Sequence, residues 1–441
     1  MSGFSKDFVL TRSEVLRFAI PSTLFSVLRH SYRAVDQFWL QHVSTEAQAA
    51  IGSATFVLIL FSGLFVLVSA GAGPLIARAT GAADLELRRK VLGASFYGVL
   101  CLTGLTMVAG SVFAAEIATL LGLHGETHAE CVRYLATIAL TCFPLVLMPL
   151  VDQAFIAMGS ARTPLVIHGL MLGGNLLITP LMIHTLGFGV VGAALASNLS
   201  YFIGGTIGFA IVWQRTGARR RDIRFGETLG RVLRIGTPIA LGTISYALVY
   251  WGMLYTSISP LGPHVNAALG IGFSVLEGFT WPCFHGVEMA LASFVGRSLG
   301  AGRPDQARRA IRLALPLSLG LGGAASIAFY FGADLLTGIF TSDPRVHDQA
   351  ILYATILAFS QIFVAIETLN EGVLAGAGDT RTVFILTTPL TVLRVPLAYL
   401  FAFTFELGAA GIWWAINITT YAKAIATAIA CLRGKWAERE I

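Results

Sequence analysis

Charge is what this sequence has least of. Of its 441 residues, 12% are Asp, Glu, Lys or Arg, about half the share in water-soluble domains. Apolar residues make up 55% and the mean hydropathy is +0.74. Too few polar side chains remain to cover the surface of a soluble globule, and the chain is too apolar for disorder. Cysteine is scarce as well. The five cysteines, Cys101, Cys131, Cys142, Cys283 and Cys431, are odd in number and include no CxxC pair, which argues against a disulfide framework or a zinc site. Enzyme signatures are scarce too: there is no DDxxD and no HxxxxD on a loop, so the chain reads as a non-enzyme. The first apolar segment lacks an AxA site and contains Arg29, His30, Arg33 and Asp36. It reads as a membrane span rather than a cleaved leader.

Long apolar runs are what the sequence has in quantity. A spanning helix needs about 20 mostly apolar residues, whereas a membrane barrel shows short alternating segments. Twelve runs qualify: 14–41, 48–76, 91–121, 131–156, 165–186, 189–213, 235–258, 266–296, 313–340, 350–375, 382–405 and 409–432. The fold class is therefore all-α and membrane-integral. Basic residues test the count. With the N-terminus in the cytoplasm, 24 of the 30 Lys and Arg fall in cytoplasmic segments and only Arg133 and Arg345 fall outside, the other four lying within spans. This follows the positive-inside rule and places both termini in the cytoplasm of an inner-membrane protein. The net charge of +6 thus reports topology, and no nucleic-acid partner is implied. The Arg-rich stretch 214–234 reads as a topology anchor.

The chain also repeats itself. Adding 219 carries Arg78-Ala79-Thr80-Gly81-Ala82 onto Arg297-Ser298-Leu299-Gly300-Ala301. The same offset carries Gly159, Arg162 and Thr163 onto Gly378, Arg381 and Thr382, and Asn198 onto Asn417. Each unit holds six spans, an even number, so the repeats are parallel. Parallel bundles that alternate access suit a transporter. The expected domains are 1–213, a linker 214–234, and 235–441.

The order and spacing of several short motifs resemble the multidrug and toxic compound extrusion (MATE) family. They include the repeated Arg-x-x-Gly-Ala, Gly378-Asp379-Thr380-Arg381 and Val35-Asp36-Gln37-Phe38-Trp39. Gly187-Phe188-Gly189-Val190-Val191-Gly192 also fits. The resemblance covers all twelve spans and implies two six-helix lobes in a V-shaped arrangement. It also implies export of amphiphilic, mostly cationic, molecules driven by inward H⁺ or Na⁺. The pattern lies nearer the DinF-like branch than the NorM-like one. By that resemblance Asp36 is the coupling acid, Pro21 bends the first span, and Tyr134, Asn175 and Ser197 line the site. Where the branch has a second acid, this chain has Thr179, which favours protons over sodium.

The residues themselves add to this. Acids inside spans cost roughly 2.5–3.5 kcal/mol on insertion scales and usually face a cavity. Asp36 follows Pro21, which removes a backbone hydrogen bond, and Arg33, three residues earlier, offers it an ion pair on the same face. Glu367 and Glu371 share a face at i, i+4, and Arg394 reads as a partner for either of them or as a contact for an anionic substrate. Asp152 aligns with Glu371 through the repeat, which suggests gating or lobe packing. Glu277, with His285 two turns on, is a second titrating candidate. His168 and His184 read as packing residues.

The leading expectation is a monomeric, proton-coupled exporter of an amphiphilic, cationic small molecule, without cofactor, embedded in the bilayer. A lipid-linked saccharide flippase, an organic-anion exporter and a Na⁺-coupled relative stay open, kept alive by Arg29, Arg33 and Arg394.

Overall fold

The structure is a computed structural model that describes residues 9–40, 45–121, 123–341 and 343–438, without the side chains of 32–53, 55, 56, 274 and 275. Among the described residues all regular structure is helical. The helices fall into twelve spans, called spans 1 to 12 below.

Spans 1, 2 and 3 are Arg12–Leu40, Thr45–Gly81 and Leu85–Val112, the third prolonged by Ala114–Leu120. Span 4 is the pair Gly125–Leu140 and Phe143–Ala157, bent by 54°. Span 5 is Arg162–Pro180 ending in a π turn, Leu181–Thr185, and span 6 is Gly189–Thr216. Span 7 joins Glu227–Met253 to a π turn, Leu254–Ile258. Span 8 is Pro263–Ile271, a π turn Gly272–Glu277, and Gly278–Gly300. Span 9 is Pro304–Phe331, with Ala333–Gly338 after it. Span 10 is the pair Pro344–Ala358 and Gln361–Gly376, bent by 55°. Span 11 runs through Thr380–Val392, Arg394–Tyr399 and the π turn Leu400–Thr404, and span 12 is Gly408–Leu432.

Each expected run lies within one of these spans to within a few residues. The helices extend beyond the apolar runs because a helix satisfies its own backbone and needs apolar side chains only at bilayer depth. The stretch 214–234 is accordingly mostly helical: span 6 runs to Thr216 and span 7 starts at Glu227, with a 3₁₀ turn Arg220–Asp222 between. Asp222 is buried and paired with Arg89 at 3.1 Å. Span faces carry large exposed apolar residues such as Leu177, Phe331 and Leu432, as surfaces in contact with lipid do.

The 219-residue offset is visible in three dimensions. It carries Leu85–Val112 onto Pro304–Phe331, and the π turn Leu181–Thr185 onto Leu400–Thr404. It also pairs the breaks of spans 4 and 10. Turns obey it as well: Gly159 and Gly378 have φ of 81° and 79°. At two places one copy lacks the glycine. Ala83 (φ 55°) stands where the other repeat has Gly302, and Glu406 (φ 57°) where it has Gly187. A side chain in the left-handed region costs roughly 1–2 kcal/mol per residue. Replacing Glu406 by Gly should therefore stabilise the protein by about 1 kcal/mol, read as a higher melting temperature in detergent.

The chain divides into two compact units. One runs Val27–Ala240; the other joins the first part of span 1, through Ser26, to the chain from Leu241 onward. Each unit thus includes the first half of a helix whose remainder belongs to the other. In the first unit an apolar cluster gathers Val57, Tyr134, Leu135, Ile183 and Val190. In the second, Met253, Tyr353, Ile412 and Trp413 form its counterpart.

Candidate functional site

In the first unit, span 5 brings Asn175 and Thr179 to the interior, one turn apart and both fully buried. The Asn175 amide donates to Ser197 Oγ of span 6 at 3.3 Å. Asn175 Oδ1 and Thr179 Oγ1 have no hydrogen-bond partner among the described residues. Buried polar atoms are normally satisfied, so an acceptor and a hydroxyl left open on one face mark a place made for another polar group. Nearby, the Asn198 amide donates to Thr141 Oγ1 at the break in span 4. Tyr134 is buried on the same span. Pro21 lies inside span 1, in the part that belongs to the second unit. The backbone around Arg33 and Asp36 is helical, but their side chains lie outside the described residues.

Lower in the same unit, Asp152 and His168 form a buried pair, with His168 Nε2 at 3.1 Å and 3.2 Å from the two carboxylate oxygens. His168 is therefore more than a packing residue. The repeat preserves the position of the acid but not its partner, since Thr387 takes the place of His168 in the second copy.

The second unit holds a denser polar interior. Glu367 of span 10 and Lys423 of span 12 form an ion pair of 2.7 Å, with side chains 10% and 8% exposed. Glu371 sits one turn further on, in electrostatic reach of Glu367, Glu288 and Lys423. Arg394 of span 11 is buried; its Nε donates to Thr419 Oγ1 at 2.9 Å and its Nη2 to Thr420 Oγ1 at 3.0 Å. No carboxylate stands within ion-pair distance of this guanidinium among the described residues. Two tyrosines of span 7, Tyr246 and Tyr250, lie in its electrostatic reach with their rings 4.8 Å apart. Glu277, closing the π turn of span 8, accepts the Tyr353 phenol proton at 2.8 Å. Gly272 makes room for this bond, because a Cβ there would overlap the Tyr353 ring.

Two partnerships differ from those expected. Arg394 pairs with neither Glu367 nor Glu371: a lysine on the neighbouring helix is closer to Glu367, and the hydroxyls of Thr419 and Thr420 hold the arginine. Glu277 does not join His285; that imidazole pairs instead with Glu288 at 2.8 Å, one turn along its own helix. Lys423 was readable as a lysine inside a span, yet its role in neutralising Glu367 was missed. Tyr353 was missed too, although the repeat relates it to Tyr134. Among the described residues no cluster of three or more His, Cys, Asp or Glu suits a metal ion.

The sequence matches the MatE family model over residues 21–181 and 238–400. The probable multidrug resistance protein NorM of Thermotoga maritima is 28% identical, the alignment covering 98% of this chain and 94% of that protein. An FAD transporter of Shewanella oneidensis is 24% identical over 78% of this chain and 77% of its own. Among solved structures, a MOP-superfamily transporter of Pyrococcus furiosus, described as having a binding pocket of reverse polarity, superposes with a TM-score of 0.90. It is 22% identical and the match covers 97% of both chains.

Proposed function

Because the chain belongs to the MatE family of membrane transporters, we propose that it is a secondary antiporter exporting an amphiphilic, cationic small molecule in exchange for protons, with Asp36 as the coupling acid. The observation that carries this reading is the open polar shell of span 5. An amide oxygen such as Asn175 Oδ1 can only accept, so it serves a protonated carboxyl, which donates. A hydroxyl such as Thr179 Oγ1 can donate, so it serves an ionised carboxylate. Both are buried and unspent among the described residues, and Ser197 orients the amide. Such a shell offers each protonation form a partner. With Thr179 where a second acid would stand, it carries too little negative charge to favour sodium. The topology proposed with it has both termini in the cytoplasm and the protein acting as a monomer. Transport of a fluorescent cation in proteoliposomes, under proton and sodium gradients imposed separately, tests it: uptake should follow the proton gradient alone.

Arg394 favours a second reading. Among the described residues the buried Arg394 guanidinium is held by two hydroxyls and makes no ion pair, which suits it to an anion, and a relative is named as a transporter of FAD. A substrate bearing both a cationic and an anionic group would meet that need. On this reading Arg394→Gln raises KM for a zwitterionic or anionic substrate about tenfold or more, the loss of one charge-assisted contact, and leaves KM for a purely cationic one unchanged. Equal KM values for both classes remove the second reading.

A further inference from the structure

The second unit contains a groove of about 580 Å³ between the ends of spans 11 and 12, within the roughly 300–1,000 Å³ of small-molecule sites. Span 12 contributes Ala426, Ile429 and Ala430 and its capping residue Arg433, the i, i+3, i+4, i+7 stripe of a single helical face. Span 11 contributes Thr382 and Leu386, one turn apart, and Leu374 of span 10 closes the floor. The groove is thus apolar along its span 12 face and ends on Arg433, about 10 Å from Ala426 along the helix.

Its polar end is built by a short tail. After span 12 the chain turns at Gly434 (φ 71°) into the 3₁₀ turn Lys435–Glu438. Trp436 is buried there, and its indole N–H donates to Cys431 O at 2.9 Å. This clamp sets Lys435 beside Arg433 at the mouth, and Arg308 of span 9 reaches the same turn, 3.8 Å from where a Gly434 Cβ would stand. Neither Arg433 nor Lys435 makes an ion pair among the described residues. Two acids also line the groove: Asp379 is buried and accepts the Thr382 hydroxyl at 2.8 Å, while Glu438 is exposed. Flanking the groove, Ile385, Ile425 and Ile429 expose about half their surfaces, which marks this side as facing lipid.

We infer that the groove binds an anionic glycerophospholipid of the cytoplasmic leaflet, one acyl chain along Leu386 and Ile429 and the headgroup phosphate between Arg433 and Lys435. Charge complementarity selects this occupant: Asp379 is buried and bonded to Thr382, and Arg433, Lys435 and the nearby Arg308 outweigh the exposed Glu438 at the mouth. Basic pockets between spanning helices on the cytoplasmic side attract anionic headgroups, and the apolar length excludes a free phosphate as the natural ligand. The inference rests on the proposed topology, which places this end in the cytoplasm. Labelling a single cysteine at Glu438 from either side reports that independently.

The test uses the full chain in nanodiscs of phosphatidylcholine with and without phosphatidylglycerol, with retained lipids counted by native mass spectrometry. The wild-type protein should retain phosphatidylglycerol over phosphatidylcholine by about tenfold. Replacing Arg433 and Lys435 together by Gln should abolish that preference. Leu386→Trp, which fills the groove but keeps the charges, should lower retention of both lipids. Equal retention of the two lipids by the wild type overturns the inference. So does an unchanged preference in the double variant, or displacement of the lipid by inorganic phosphate alone.

Discussion

Asp36→Asn should produce a protein that inserts, folds and transports nothing against a gradient. An ionised acid inside a span costs roughly 2.5–3.5 kcal/mol on insertion scales, so the neutral, isosteric amide is no burden to insertion. The expected loss is functional. One titrating group can carry one proton per cycle, and an amide cannot exchange protons at any working pH. Proton-driven accumulation should fall to the level of empty liposomes, while the melting temperature stays within a degree or two of wild type. Asn175→Ala should weaken transport less, since it removes one partner of the acid and leaves the acid. If Asp36→Asn accumulates substrate normally, Asp36 is a structural partner of Arg33. The titrating group would then have to be sought at Glu277, whose phenol partner Tyr353 is in place.

Glu367→Gln should do the opposite: damage the fold more than the coupling. Glu367 and Lys423 are a buried pair at 2.7 Å. Removing one member of such a pair leaves the other charge uncompensated and typically costs about 3–5 kcal/mol, whereas replacing both by apolar groups is often neutral. Unfolding in detergent should therefore show a large loss for Glu367→Gln, and recovery of most of it in Glu367→Leu/Lys423→Met. The double variant should retain proton-driven uptake. If the double variant is stable yet inactive, the pair takes part in transport, and the coupling site lies in the second unit.

These two expectations differ because different parts of the molecule were legible in the sequence. Periodic and additive features could be read. Hydropathy located all twelve spans, and the offset of 219 foretold which helices, breaks and turns would match. The basic residues assign an expected side to every loop, which labelling at Glu438 would test. Pairings across helices could not be read. Spacing along one helix says that Glu367 and Glu371 share a face, but not that Lys423, 56 residues later, points into it. It likewise suggested His285 for Glu277, when the phenol that Glu277 accepts arrives from span 10. The repeat does carry a signal for this partner: adding 219 to Tyr134 gives Tyr353. The π turns were invisible for a related reason. They arise where one extra residue is accommodated in a helix, and neither composition nor periodicity registers that.

On the proposed function, proton movement through Asp36 is coupled to substrate movement. Its most direct test loads proteoliposomes with a cationic substrate in sodium-free buffer, with no imposed pH gradient, and follows internal pH with a trapped dye as substrate flows out. In the wild type, the interior should acidify in step with substrate efflux, and Asp36→Asn should show no pH change. Efflux without any pH change in the wild type, or no efflux until sodium is added, would contradict that coupling.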